Sequence, residues 1–233
     1  MFAVEGLRSG YGLLPILQGV DVTVEAGEVV ALLGRNGAGK TTLLRTIAGA
    51  LPVTAGRIAL DGAELGRLPA YRRARAGIAH VPQGRGIFGR LTVAENLEAG
   101  TRAAAGRGSP AGLDAILVTF PILAERRRQV AGTLSGGQQQ LLAIARALCG
   151  APKVLLLDEP AEGVQPNFVQ QIAQLLPGLA RSRRMGVLLV EQNLDLVLRA
   201  ASRCLVMEKG RIVHAAQPDK LRDEALLKEL LAL

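Results

Sequence analysis

Gly34-Arg35-Asn36-Gly37-Ala38-Gly39-Lys40-Thr41-Thr42 is a run whose residue types and spacing suit the binding of phosphate. Gly34, Gly39, Lys40 and Thr41 fall at the positions of a phosphate-binding loop. The glycines let the backbone curl around an anion without a Cβ in the way. Lys40 is placed to reach β- and γ-phosphates, and the Thr41 hydroxyl to ligate Mg²⁺. An apolar run, Val29-Val30-Ala31-Leu32-Leu33, precedes the loop, and Thr42 to Ile47 reads as a helix. A loop between a buried strand and a helix N-terminus meets unpaired N–H groups and the favourable end of the helix dipole.

Two further clusters carry polar chemistry. Asp158-Glu159 closes a second apolar run, Val154 to Leu157. A carboxylate at a strand end beside a phosphate loop is placed to hold Mg²⁺, which points to Asp158. Glu159 then stands next to the γ-phosphate, where it can orient or deprotonate a water. Taken alone, an acidic strand cap would look the same. Leu134-Ser135-Gly136-Gly137-Gln138 puts a serine and two glycines immediately before a helical segment. That makes a second anion-binding helix N-terminus, which one nucleotide site in one chain does not need.

The elements that must position these clusters alternate. Phe2 to about Glu28 reads as short strands with turns at Ser9-Gly10-Tyr11-Gly12 and Ala26-Gly27. Val20, Val22 and Val24 alternate with polar residues, as in a half-exposed strand. After the phosphate loop come a strand over Gly56 to Leu60, a turn at Asp61-Gly62, a helix over Pro69 to Ala76 and a strand over Gly77 to Val81. From Gln83 to Leu148 short helical segments are punctuated by Pro and Gly, with no buried-strand run. Thr101 to Gly112 reads as a surface loop or frayed helix end. Gln138 to Leu148 is strongly helical. Val154 to Leu157 and Gly186 to Val190 are continuous apolar runs, the mark of strands buried on both faces. Helices over Phe168 to Leu179 and Leu194 to Ala201 are expected, with a hairpin about Lys209-Gly210 and a terminal amphipathic helix over Leu221 to Leu231. Buried strands alternating with helices mean a mostly parallel sheet covered on both faces.

Bulk properties narrow the setting. A length of 233 residues suits one large α/β domain, or one domain with a subdomain. No apolar run reaches the roughly 18 residues of a membrane span, and Met1 to Glu5 lacks the form of a signal peptide. Cys149 and Cys204 lie far apart without metal spacing and read as buried thiols in a reducing compartment, the cytoplasm by default. The net charge of +8 favours polyanionic partners. Arginines cluster at Arg72-Arg73-Ala74-Arg75, Arg126-Arg127-Arg128 and Arg181-Ser182-Arg183-Arg184, and read as solvated helix faces. No aromatics interleave them, which argues against a stacking surface for single-stranded nucleic acid.

The phosphate loop, Asp158-Glu159 and above all Leu134 to Gln138 together resemble the ATP-binding subunits of ABC transporters, over essentially the whole chain. The resemblance implies an α/β P-loop NTPase fold with a mostly parallel sheet and an N-terminal antiparallel β region. It implies a single nucleotide-binding domain over 1–233, with a helical subdomain inserted over 84–148. ATP and Mg²⁺ are the implied ligands, and ATP hydrolysis the implied reaction. In the family two subunits sandwich two ATP molecules head to tail. Leu134, Ser135, Gly136, Gly137 and Gln138 would thus contact ATP held by the partner's phosphate loop. Tyr11 matches the aromatic that stacks on adenine, although a Tyr in a turn could equally pack. Gln83 matches the glutamine that touches Mg²⁺ and water and relays to the membrane partner. Gly84 to Leu91, with Phe88 exposed, would face a permease.

Two departures from the family pattern stand out. Gln192 occupies the position of a family histidine, and an amide can hydrogen-bond a γ-phosphate but cannot take a proton. The loop Ala161-Glu162-Gly163-Val164-Gln165 lacks the usual Asp. Both departures, with the phrases Val81 to Arg85 and Val190 to Leu194, resemble the second ATPase of importers for branched-chain amino acids, amides and urea. Glu162 to Pro166 leans toward the urea-type subunit. The partners this implies are a second, similar ATPase in a heterodimer, two integral membrane permeases and, indirectly, a solute-binding protein, without nucleic acid. The chain would sit peripherally on the inner face of the membrane. Urea or short-chain amide uptake is the neighbouring alternative. A soluble ABC ATPase acting on ribosomes or DNA is the alternative of another class, disfavoured by one domain and no heptads. A switch GTPase lacks support, since no Asn-Lys-x-Asp is present.

Overall fold

The computed structural model describes residues 1–102 and 113–222. Two long strands open the chain, β1 (Phe2–Tyr11) and β2 (Leu14–Val24), paired antiparallel. They replace the short strands expected here, and the turn falls at Gly12-Leu13 rather than at Ser9 to Gly12. Gly10 stays in the strand because the hairpin closes tightly on it: a Cβ there would stand 2.0 Å from the Leu14 carbonyl oxygen. Val20, Val22 and Val24 are buried while Asp21 and Thr23 are exposed, so alternation sets the buried face. Strands β4 (Ala55–Leu60) and β5 (Ala63–Glu64) complete a sheet of order β2-β1-β4-β5.

The larger sheet carries the chemistry. Its strands are β3 (Val29–Leu33), β6 (Ile78–Val81), β7 (Val154–Asp158), β8 (Gly186–Val190), β9 (Arg203–Glu208) and β10 (Arg211–Ala216), in the order β10-β9-β3-β8-β7-β6. All neighbours run parallel except the terminal hairpin β9-β10. Every residue of β3, β7 and β8 is buried, as expected for apolar runs covered on both faces. Register puts Leu32 beside Val190, and Val190 beside Asp158. The residues that follow these positions therefore leave the sheet at one edge, the carboxyl end where α/β sheets hold ligands.

Helices α1 (Lys40–Ala48) and α2 (Ala70–Ala76) lie in the first half of the chain. Arg73 of α2 departs from the solvated face expected for its cluster. It is 3% exposed and donates to the carbonyls of Thr46, Ile47, Gly66 and Leu68. Two of these belong to the last turn of α1, whose orphan acceptors it satisfies. Between β6 and β7 lie α3 (Val93–Thr101), α4 (Leu113–Thr119), α5 (Pro121–Glu125) and α6 (Gly136–Cys149). Helices α3 and α6 cross closely: a Cβ on Gly100 would come 2.1 Å from the Arg146 carbonyl oxygen. Helix α7 spans Pro166–Arg183, longer at both ends than expected, and α8 spans Leu194–Ala200. Pro166 starts α7 because a first-turn position needs no N–H donor.

Cys149 and Cys204 are free and buried, and burial pushes their thiols up to about 11 and about 12. Among the described residues no helix is long and apolar enough to cross a membrane. A 3₁₀ turn over Pro218–Arg222 ends the described chain, so nearly all of the helix expected over Leu221 to Leu231 lies outside it. Most of the stretch expected as a loop after Thr101 lies outside it as well.

Candidate functional site

The loop between β3 and α1 is shaped by its glycines. Gly34, Gly37 and Gly39 have φ of +149°, +80° and +109°. A Cβ on Gly34 would also meet the Met207 carbonyl oxygen at 2.3 Å, so β9 fixes glycine there. Gly39 caps α1 in the left-handed region without any side-chain cap. Lys40 is 5% exposed, and its Nζ donates to the carbonyls of Gly34 at 2.6 Å and Arg35 at 3.1 Å. Burial lowers its pKa, while the fields of Glu159, Asp158 and Glu191 oppose that shift. Ala38 packs into the core beneath the loop.

Acidic groups face Lys40 across a cleft of about 430 Å³ lined by Asn36, Lys40, Thr41, Gln83, Glu159 and Glu162, among others. Asp158 is 2% exposed at the end of β7 and accepts from the Thr41 hydroxyl at 3.1 Å. Burial raises its pKa, against the pull of Thr41 and Lys40. A hydroxyl and a carboxylate this close are hard oxygen donors and fit Mg²⁺, which takes few protein ligands and completes its shell with phosphate and water. Among the described residues no cluster of three or more His, Cys, Asp or Glu could hold a metal by itself.

Glu159 adopts φ +48°, a conformation that costs a non-glycine residue on the order of 1 kcal/mol. Its N–H donates to Val190 O at 2.9 Å, and its carbonyl accepts from the Glu162 N–H at 3.1 Å. Gln192 lies directly against it. The Gln192 Nε2 donates to Glu159 Oε1 at 2.7 Å and to Asn36 Oδ1 at 2.8 Å, joining the strand-end carboxylate to the phosphate loop. Gln83 donates to Glu162 Oε2 at 2.9 Å, so its contact within the cleft is with the loop after Glu159.

The remaining expected residues stand apart. Tyr11 is 43% exposed, and its hydroxyl accepts from Arg45 at 3.3 Å. Hydrogen bonds with Arg45 and Thr42 lower its pKa. None of Leu134 to Gln138 lines the cleft. Ser135 caps α6 and forms a capping box with Gln138, while the Leu134 side chain is buried in the core. Gly137 packs beneath the Phe168 ring, which leaves no room for a Cβ. Phe88 is half-exposed, with the Arg146 guanidinium 4.8 Å from its ring centroid.

Sequence reasoning assigned no role to Glu191 or Glu162, and to Arg85 only a place in the segment expected to face a permease. Glu191 accepts three backbone N–H groups, from Ala161, Gln192 and Asn193. Arg85 donates to Gln139 Oε1 at 3.0 Å and to Gly163 O at 3.3 Å, linking the segment after Gln83 to α6 and to the Glu162 loop. The legible signal was an acid directly after a fully apolar strand at Glu191; the other two contacts are purely tertiary.

Known proteins resemble the chain over nearly all of its length. The family model described as ABC transporter matches residues 17–162. The high-affinity branched-chain amino acid transport ATP-binding protein BraG of Pseudomonas aeruginosa is 46% identical, over 91% of each chain. A probable branched-chain amino acid transport ATP-binding protein, LivF of Archaeoglobus fulgidus, is 35% identical over 96% of this chain and 95% of its own. The lipopolysaccharide export system ATP-binding protein LptB of Haemophilus influenzae is 34% identical over 99% and 96%. A solved nucleotide-free ATP-binding cassette from an ABC transporter superposes with a TM-score of 0.83 at 27% identity, covering 97% of this chain and 95% of that one. With its phosphate loop, strand-end acids and serine-capped α6, the chain belongs to the ABC transporter family.

Proposed function

We propose that this ATPase powers an importer of branched-chain amino acids or related small polar solutes through partner permeases. The similarity to BraG over nine-tenths of both chains carries this reading. It exceeds the similarity to the export protein LptB, 46% against 34% for the Haemophilus influenzae protein and 37% for that of Escherichia coli. The departure at Gln192 agrees with it. Peripheral attachment to the cytoplasmic face of the membrane follows, through two permeases and a second ATPase of similar fold, with a solute-binding protein upstream.

In this reading the loop N–H groups and Lys40 hold the phosphates of ATP. Thr41 and Asp158, with Gln83, would hold Mg²⁺, which supplies charge neutralisation at the transferred phosphoryl group when bound. Glu159 orients and deprotonates the attacking water. Gln192 holds Glu159 and Asn36 in register, and as an amide it positions without relaying a proton. Leu134 to Gln138 of one subunit close on the ATP of the other. Closure moves the permease because the ATP-bound dimer differs in affinity for the two permease states.

The test is co-purification followed by reconstitution. The tagged chain is recovered from its host's detergent-solubilised membranes and every bound protein is identified. Two hydrophobic permeases and a second ATPase are expected, and proteoliposomes of that assembly should take up leucine with ATP. Uptake of urea or an amide instead would move the substrate within the importer branch. Recovery with lipopolysaccharide-export components, or only with ribosomal proteins or DNA, would overturn the importer.

A further inference from the structure

Glu191 is a buried carboxyl that does not line the cleft between Lys40 and Glu159. It is 3% exposed and follows β8 directly. Its Oε2 accepts from the Ala161 N–H at 3.0 Å, and its Oε1 accepts from the N–H groups of Gln192 at 2.7 Å and Asn193 at 2.9 Å. A carboxylate can accept all three bonds, whereas a glutamine has one acceptor oxygen and would turn its NH₂ toward a donor. Burying a carboxylate is costly unless such bonds compensate it. Here burial still raises the pKa despite them.

The two segments that Glu191 ties together are the two that meet at Glu159. On one side Gln192 bridges Glu159 and Asn36. On the other, Ala161 begins the loop to Glu162, which accepts from Gln83. The Gln192 link and the Gln83–Glu162 link thus both hang from backbone that one carboxylate fixes. We propose that Glu191 is a positioning residue for ATP hydrolysis: its carboxylate locks the Gln192 segment to the loop after Glu159, so that Gln192 and Glu159 keep their contact through turnover. The inference rests on the ATPase reading, and it makes Gln192 the route through which Glu191 acts.

Positioning errors of about 1 Å cost on the order of 10²-fold in rate. In the assembled transporter, Glu191→Gln is therefore expected to lower kcat by roughly tenfold to a hundredfold, with the KM for ATP within about twofold of wild type. ATP affinity of the isolated chain is unchanged, and Glu191→Asp falls between. The deciding measurement is a double-mutant cycle with Gln192→Ala. If Glu191 acts through Gln192, adding Glu191→Gln to Gln192→Ala lowers kcat no further. An equal fold-loss in both backgrounds, or an unchanged kcat in the single variant, overturns the proposal. Where Glu191→Gln does not fold, Glu191→Asp carries the same cycle. If neither folds, Glu191 serves stability alone and the proposal fails. A wild-type assembly without ATPase activity would instead count against the functional reading.

Discussion

Two helices of this protein begin on glycine-rich turns beside the expected phosphate chemistry, and their first turns are finished in opposite ways. Helix α1 starts from Gly39 with no side-chain cap, and it buries Lys40 at its mouth. Helix α6 starts from Ser135, which accepts from the Gln138 N–H while Gln138 accepts from the Ser135 N–H. An uncapped N-terminus leaves its donors to a ligand; a capping box makes a helix self-sufficient. The sequence reads both as anion sites, but they are built for different duties. In the proposed reading the end of α1 is left open for a ligand. The end of α6 is capped by its own side chains, and in the same reading it adds contacts only when the partner's ATP is brought to it.

The sharpest break of this comparison is chemical. If the α1 end holds the reacting phosphate, Glu159→Gln lowers ATP turnover of the assembled transporter by about 10²–10⁴. Near-normal turnover would remove Glu159 from the role of base.

Binding separates the two ends next. Lys40→Ala removes a charge-assisted hydrogen bond worth about 1.5–3 kcal/mol, so ATP affinity of the isolated chain falls by roughly 10- to 150-fold. Ser135→Arg leaves that affinity at wild type, since α6 lies outside the cleft. It blocks ATP-dependent dimerisation, read by size exclusion in a Glu159→Gln background. Loss of ATP binding by the isolated Ser135→Arg chain would mean that α6 serves its own site.

The open end was the more legible in sequence, and the reason is physical. Buried parallel strands leave continuous apolar runs, and a phosphate loop needs glycine at fixed points, so both write themselves into a few adjacent residues. The antiparallel hairpin did not, because Gly10 and Tyr11 read as a turn when a tight strand pairing requires the glycine. Pro166 hid the start of α7. Arg73 looked like one more surface arginine, and only the packing of α2 on α1 turns it into a buried cap. Glu162 and Arg85, and Glu191 in its bond from Ala161, join segments far apart in the chain. Neighbouring residues cannot announce such contacts.

The smallest effects are the most telling, because the two ends predict opposite signs. Ser135→Ala removes a cap and lowers stability by about 1 kcal/mol, or roughly 2–4 °C in Tm for a chain of this size. Asp158→Asn is expected to raise Tm modestly in metal-free buffer at neutral pH. Burial holds the Asp158 carboxyl above its usual range, so at neutral pH the folded chain carries a charge that its site disfavours. Asn keeps an acceptor for the Thr41 hydroxyl without the charge. Below the ordinary value of 3.8 the carboxyl is neutral in both states and the advantage of Asn vanishes. As pH rises from there, the unfolded chain releases its proton first, and wild-type stability is lost through the raised folded value. Saturating ATP with Mg²⁺ reverses the order, since a ligand stabilises only the chain that binds it. Wild type then gains Tm and Asp158→Asn gains little. A fall in Tm for both variants, with the same response to ATP, would mean that the α1 end is held together as a structural cap, like α6.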